Sequence, residues 1–246
     1  MEQKSKPALL LLPNLLATGA HPELFLPASV NKAVNSLDGL IAENPTAGKR
    51  YLDLFIKSRD TRTIPIAVVD KSTAYKDIDF FLEPILNGER WGYVSDAGLP
   101  CIADPGSQLV FRARQRGITV QAFVGPSALL LGLMLSGLPS QSFGFSGYLP
   151  KKKEDRESAL KQLEKRSLEE NSTQLFIEAP HRNRILLEDA IKVLSPDTWL
   201  CVASQLTTLE QTVICQQVVT WRKAILPQID GKAVTFYLYA KKDLYS

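Results

Sequence analysis

The sequence predicts two α/β domains, the first built on a mainly parallel sheet and the second on a mixed one. Three observations lead there. Short apolar runs alternate with helical stretches through the first half, which is the pattern of right-handed β-α-β crossovers. The pattern changes style after Gly125-Pro126, which places a boundary near Phe123–Gly125 and gives domains over 1–124 and 125–246. The last segment, Lys232–Ala240, alternates partly as an antiparallel strand does. A chain of 246 residues has room for one large domain or two small ones.

Taken in order, Ala8–Leu12 is five apolar residues closed by Pro13-Asn14, a buried first strand. The basic beginning ahead of it has the look of a secretory signal, but the Pro-Asn interruption leaves the apolar run too short for one. Gly39–Ala42 is a short second strand. Ile64–Val69 is a third, which Pro65 pushes to an edge. Ala74–Asn87 carries Ile78, Phe81, Leu82, Ile85 and Leu86 at helical spacing and ends at Asn87-Gly88. Trp91–Val94 is a strand, Ser107–Arg116 a helix stopped by Gly117, and Ile118–Phe123 a strand. Ser127–Leu135 is a very apolar helix with Ser127 as its cap, ended by Gly137-Leu138-Pro139. Lys151–Asn171 is a charged helical stretch with basic and acidic residues in near-equal number, the mark of a solvated face. Strand Thr173–Ile177, helix Arg184–Leu194 and strands Trp199–Ala203, Gln211–Val218 and Lys232–Ala240 complete the chain. There is no internal repeat and no low-complexity segment.

Composition excludes several classes. Hydrophobic residues at 45% and charged residues at 22% fit an ordinary packed core rather than disorder. The net charge of +3 neither demands nor forbids a nucleic-acid partner. Cys101, Cys201 and Cys215 are odd in number, lack C-x-x-C spacing and sit among apolar neighbours, so they read as buried thiols of a reduced, cytoplasmic protein. His21 and His181 are too few for a structural metal site, and no run is long enough for a membrane span. Nucleotide-binding and hydrolase motifs fail when tested. No G-x-G occurs, Ala47-Gly48-Lys49-Arg50 lacks the upstream glycine and the Ser/Thr of a phosphate loop, and Gly144-Phe145-Ser146-Gly147 lacks nucleophile-elbow spacing.

The segment W-G-Y-V-S-D-A-G-L-P-C-I-A-D-P-G, residues 91–106, carries the chemistry. A strand runs into a loop with two glycines and two prolines. Gly98 allows close backbone approach, while Pro100 and Pro105 stiffen the loop. Asp104 is expected to cap the following helix, with Pro105 at its first position. Loops at the carboxyl ends of parallel strands are where open α/β sheets bind ligands.

S-D-A-G-L-P-C-I-A-D-P-G resembles the signature of the tetrapyrrole-methylase superfamily, and in particular its branch that methylates a ribose 2′-oxygen of small-subunit ribosomal RNA. V-G-P-S-A at 124–128, S-G-L-P-S at 136–140, G-Y-L-P-K-K at 147–152, F-I-E-A-P-H-R at 176–182 and L-T-T-L-E at 206–210 resemble further family motifs in the same order. The first 90 residues depart. L-P-N-L-L-A-T at 12–18 replaces the family's T-P-I-G-N-L-x-D, and E-N-P-T at 43–46 stands for E-D-T-R.

The resemblance implies two α/β domains with a cleft between them that binds S-adenosylmethionine, a homodimer, an RNA or ribosomal-subunit partner, and no metal. It implies that Pro13, Ala97, Gly98, Leu99, Ile102, Ser127, Ala128, Glu178, Leu206 and Ala233 line the cofactor. Backbone amides, a helix N-terminus and apolar walls suit that zwitterionic, aromatic ligand. Asp96 and Glu43, with Glu178 third, are the carboxylates expected to take the acceptor's proton. Lys151, Lys152, His181 and Arg182, near Lys153 and Arg184, are expected to meet substrate phosphates. The altered first loop leaves two alternatives open: a small-molecule acceptor such as a tetrapyrrole precursor, or a silent cofactor-binding protein.

Overall fold

The computed structural model describes residues 6–17, 21–58, 60–241 and 243–244. The basic beginning, residues 1–5, and Thr18 of the first loop lie outside them. The chain divides into two compact units, Met1–Ser127 and Ala128–Ser246.

The first unit runs β1 (Ala8–Leu12), α1 (Pro22–Phe25), α2 (Ala28–Asn35), β2 (Gly39–Ala42), α3 (Pro45–Phe55), β3 (Ile66–Val68), α4 (Ile78–Leu86), β4 (Arg90–Val94), α5 (Gly106–Gln115) and β5 (Val120–Ala122). The strand order is β3-β2-β4-β1-β5, and every pair is parallel. The alternation of strand side chains sends residues to two cores. Ala8, Leu10 and Leu12 join Leu40, Ala42 and Val94 beneath α2 and α3. Leu9, Ile41, Trp91 and Tyr93 pack under α4 and α5. Covering both faces is what a parallel sheet requires, and it explains why β1 and β2 read as unbroken apolar runs.

Several expectations are corrected here. Helices α2 and α3 were not read from the sequence. The third strand is shorter than Ile64–Val69, and it does lie at the edge where Pro65 put it. The helix over 74–87 splits into a 3₁₀ turn at Tyr75–Asp77 and α4. Strand Ile118–Phe123 shrinks to β5.

The second unit runs α6 (Ala128–Ser136), β6 (Phe143–Tyr148), α7 (Lys153–Glu170), β7 (Thr173–Ile177), α8 (Asn183–Val193), β8 (Trp199–Ser204), β9 (Thr212–Gln217), α9 (Val218–Trp221) and β10 (Val234–Tyr239). Its sheet has the order β6-β7-β10-β8-β9, parallel between β6 and β7 and antiparallel elsewhere. Strand β6 was not anticipated. It holds two glycines and lies at a sheet edge with a register shift between Phe145 and Tyr148, so it lacks the alternation that marks a strand. One face of this sheet buries Phe176, Val202, Phe236 and Leu238 against Leu160 and Leu163 of α7 and Leu186, Leu187 and Ala190 of α8. Helix α6 packs on the opposite face, where the Tyr237 hydroxyl donates toward the carbonyls of Ala128 and Leu129 at 2.9 and 3.2 Å. Helix α7 ends where Asn171 takes a left-handed conformation, φ 50°. Arg156 of α7 pairs with Asp189 of α8 through Nη2 at 2.5 Å and Nε at 2.9 Å, and both side chains are almost fully buried. Among the described residues, no helix is long and apolar enough to cross a membrane.

Candidate functional site

Because β1, β2 and β4 run parallel and in register, Leu12, Ala42 and Val94 end side by side. The loops that follow them meet at one edge of the sheet. Asn14 laces two of these loops together. Its Nδ2 donates to the carbonyls of Ser95 at 3.0 Å and Asp96 at 3.1 Å, and its N–H donates to the carbonyl of Gly98 at 2.8 Å. Its Oδ1 accepts the N–H of Leu15 at 2.8 Å. The buried Tyr51 hydroxyl donates to the Pro13 carbonyl at 3.0 Å, and burial pushes that phenol well above its usual range. From the third loop, Glu43 Oε1 accepts the Asp96 N–H at 3.2 Å.

The loop after β4 has an unusual backbone. Gly98, Cys101 and Ala103 all take positive φ, at 69°, 69° and 65°. Two of these are not glycine, and such positions persist only where surrounding bonds fix them. Asp104 supplies those bonds. Its Oδ1 accepts from the Tyr93 hydroxyl at 2.9 Å and the Gly106 N–H at 2.7 Å, and its Oδ2 accepts from the Cys101 N–H at 2.7 Å. The helix starts at Gly106 with Pro105 as its cap residue, between the Pro105 and Ser107 starts read from the sequence, and Asp104 still satisfies its first N–H. Burial, and then Asp104, push the Cys101 thiol up to about 12, so it stays neutral and inert.

Two glycines show how closely the segments approach. A side chain on Gly98 would meet Leu16 Cδ2 at 3.0 Å and the Pro126 carbonyl at 3.2 Å, and one on Gly125 would lie 2.0 Å from Pro13 Cβ. The first unit therefore gathers Pro13, Asn14, Glu43, Asp96, Ala97, Gly98 and the 125–127 segment in one place. Asp96, Ala97 and Ile102 are exposed, Leu99 is half-buried, and Pro13 and Ser127 are buried. The carbonyl and N–H of Gly98 already engage the first loop, the latter weakly at 3.4 Å to Leu15.

Glu43 is half-buried, and desolvation raises its pKa, with a backbone bond from Asp96 opposing and the Asp96 and Asp104 charges adding. A carboxyl whose folded pKa is raised adds stability that is complete below its ordinary pKa and is lost as pH rises through the folded value. A Glu43→Gln variant is therefore expected to be at least as stable as wild type at neutral pH. In denaturant melts across pH 3–8 it should lose that relative advantage below the carboxylate range.

In the second unit, β7 and β8 end where the antiparallel β10 begins, since Thr235 pairs with both Ile177 and Ala203 and Val234 pairs with Ser204. Glu178 follows directly. Its Oε1 accepts the Ala179 N–H at 2.6 Å and a short bond from Arg182 Nη2, while its Oε2 is buried without a partner. Gln205 exchanges bonds with Ala233: its side chain accepts the Ala233 N–H at 3.1 Å, and its own N–H donates to the Ala233 carbonyl at 3.0 Å. Gln205 and Thr207 both take positive φ around the buried Leu206. Ser204 Oγ and Thr207 Oγ1 are also buried without partners. Three unpartnered polar atoms at or beside Glu178 and Leu206, positions expected to line the cofactor, fit a ligand rich in amino and hydroxyl groups.

The structure turns Arg182 inward to Glu178, whereas His181, Lys151 and Lys152 stand exposed. The same pairing makes Glu178 a partner of Arg182 rather than an open base. Among the described residues, no group of three or more His, Cys, Asp or Glu could hold a metal ion. Sequence reasoning missed Asn14, Tyr51, Ser204, Gln205 and Thr207. Asn44 was noted only as a departure. It caps α3, accepting the N–H of Thr46 at 2.8 Å and of Ala47 at 3.2 Å, and Asn44-Pro45 is itself a readable helix start.

Comparison with known proteins agrees with this frame. A family model described as Tetrapyrrole (Corrin/Porphyrin) Methylases matches residues 32–218. The chain is 38% identical over 143 residues to a protein of Vibrio cholerae named ribosomal RNA small subunit methyltransferase I, covering 57% of this chain and 48% of that one. It is 33% identical over 180 residues to the protein of that name from Thermotoga maritima, covering 73% of this chain and 76% of that one. The chain spans about half the length of several of the curated relatives it matches. A crystal structure of the methyltransferase CobJ superposes with a TM-score of 0.63 at 17% identity, covering 95% of this chain and 99% of that one, which speaks to the fold. The sheet orders, the loop after β4 and these matches lead to one assignment: the chain belongs to the tetrapyrrole (corrin/porphyrin) methylases.

Proposed function

We propose that the chain is an S-adenosylmethionine-dependent methyltransferase that acts on a ribose 2′-oxygen of small-subunit ribosomal RNA, in the cytoplasm and as a homodimer. The observation that carries this reading is the S-D-A-G-L-P-C-I-A-D-P-G loop, held in its positive-φ shape by Asp104 and joined to the first loop by Asn14. The names of the relatives support the RNA substrate.

When bound, the cofactor supplies a methyl group on a sulfonium, transferred by in-line displacement, so alignment supplies much of the acceleration. Pro13, Ala97, Gly98, Leu99 and Ile102 hold its amino-acid part through backbone and apolar contacts. Ser127 and Ala128 would also contact the cofactor, and Glu178 and Leu206, with Ala233 nearby, would frame its adenine, with the unpartnered oxygens of Glu178, Ser204 and Thr207 as acceptors. Glu43, fixed by the Asp96 N–H and with a raised pKa, and the exposed Asp96 are the carboxylates that accept the hydroxyl proton. Lys151, Lys152 and His181 meet phosphates, while Arg182 orients Glu178.

Calorimetric titration with S-adenosylmethionine, followed by transfer of labelled methyl groups into small ribosomal subunits lacking the modification, tests this. Binding with methyl transfer is expected. Glu43→Gln and Asp96→Asn should keep binding, and the variant that removes the proton acceptor should slow transfer by roughly 100-fold or more. Absence of binding at millimolar cofactor removes the proposal, and transfer into a small molecule but not RNA removes its substrate.

A further inference from the structure

Cys201 of β8 and Cys215 of β9 are direct partners across an antiparallel ladder. They continue a row that crosses the sheet through Leu175, Tyr237, Cys201 and Cys215, all on the face where α6 packs. Directly opposite residues in such a ladder have Cα atoms roughly 4.5–5.5 Å apart with side chains on the same side. That lies inside the approximate 4.4–6.8 Å window of disulfides, so closure needs no change of register. The two thiols are free and face each other side chain to side chain. Cys215 is half-buried on the edge strand, and Cys201 behind it is fully buried.

From this arrangement we infer that Cys201 and Cys215 form a reversible dithiol–disulfide site whose oxidant is a hydroperoxide. The outer thiol reacts first. Hydrogen bonding from Cys201 lowers the pKa of Cys215, and the same bond, followed by burial, raises that of Cys201. The roles divide accordingly, since the thiolate is the nucleophile. The Cys215 thiolate attacks one peroxide oxygen and the O–O bond breaks. Cys215 becomes a sulfenic acid, and the leaving hydroxide (or alkoxide) takes a proton to give water or alcohol. Cys201 sulfur then attacks the Cys215 sulfur, the S–S bond forms, and the sulfenic oxygen leaves as water with the Cys201 proton. Two thiols lose two electrons and two protons, and the peroxide gains them. The product ties the edge strand to its neighbour beneath α6, and a small dithiol reverses it. Cys101, with no thiol partner and a raised pKa, takes no part.

The sequence provides a direct readout. No Lys or Arg lies between Lys192 and Arg222, so trypsin leaves both cysteines on one peptide, whereas Glu210 is the only acidic residue between them. The folded chain is treated with hydrogen peroxide, blocked with an alkylating agent, unfolded and cut after glutamate. The expected result is two cysteine-bearing fragments that stay joined until dithiothreitol is added, with Cys101 alkylated. Cys215→Ser should abolish the joined species and Cys101→Ser should retain it. Fragments that separate without reductant overturn the inference. So does a peroxide-treated chain in which Cys215 carries sulfinic acid, or in which Cys101 is the oxidised residue.

Discussion

An Asp189→Ala variant is expected to unfold at clearly lower urea than wild type, with its second unit weakened by about 3–5 kcal/mol. Asp189 Oδ2 receives both Nε and Nη2 of Arg156, and the two side chains are 8% and 6% exposed. Removing the carboxylate leaves a guanidinium away from water with no opposite charge, and the desolvation cost of that charge then falls on the folded state. Replacing both partners by apolar residues of similar volume should recover much of the loss, because that cost disappears with the charge. Arg156 Nη1 also donates to the carbonyls of Lys151 at 2.7 Å and Pro150 at 3.3 Å. The double variant should therefore regain stability while leaving the Gly147–Lys152 segment less ordered, which amide hydrogen exchange would show. Fluorescence separates the units, since Trp199 and Trp221 belong to the second and Trp91 to the first. A melt in which Trp91 responds and the other two do not would contradict this account.

Asp104→Ala is the second large effect, and it bears on both stability and binding. Three donors lose their acceptor at once: the Cys101 and Gly106 N–H groups and the hydroxyl of Tyr93, a residue wholly buried. Each unsatisfied buried group costs about 1–3 kcal/mol. Asp104 is itself only half-buried, so water can replace part of the loss and a total of about 2–4 kcal/mol is expected. Without Asp104, Cys101 and Ala103 relax from positive φ and the loop loses its shape. Affinity for S-adenosylmethionine in calorimetry should then fall by about tenfold or more, or about 1.4 kcal/mol. Asp104→Asn should fall between, because its oxygen can still serve Tyr93 and Gly106 while its amide group opposes the Cys101 N–H. An unchanged affinity in a folded Asp104→Ala chain would mean that this loop does not hold the cofactor.

These two carboxylates show where sequence reading reaches and where it stops. Ala8–Leu12 and Gly39–Ala42 match their strands residue for residue, because a strand covered on both faces must be apolar throughout; Thr173–Ile177 also matches, although the buried polar Thr173 and Gln174 open it. Helices α2 and α3 escaped notice because A-S-V-N-K-A-V-N and P-T-A-G-K-R-Y-L-D-L-F are short and dilute their apolar positions with small and polar residues. The glycine-proline loop was legible, since its composition is its mechanism. Asn14 holding Ser95 and Asp96, Tyr51 holding Pro13, and Arg156 facing Asp189 were not, because they join residues 33 to 82 positions apart and leave no local pattern.

The order β3-β2-β4-β1-β5 also governs when the first unit can assemble. Strand β1 lies between β4 and β5, so Leu9 finds its two neighbours only at Trp91 and Val120. During synthesis, the leucine-rich β1 must wait, both of its edges open, until about a hundred more residues have left the ribosome. Throughout that interval it is a template for pairing with other nascent copies, which makes β1 the strand of this unit most in need of a chaperone's cover.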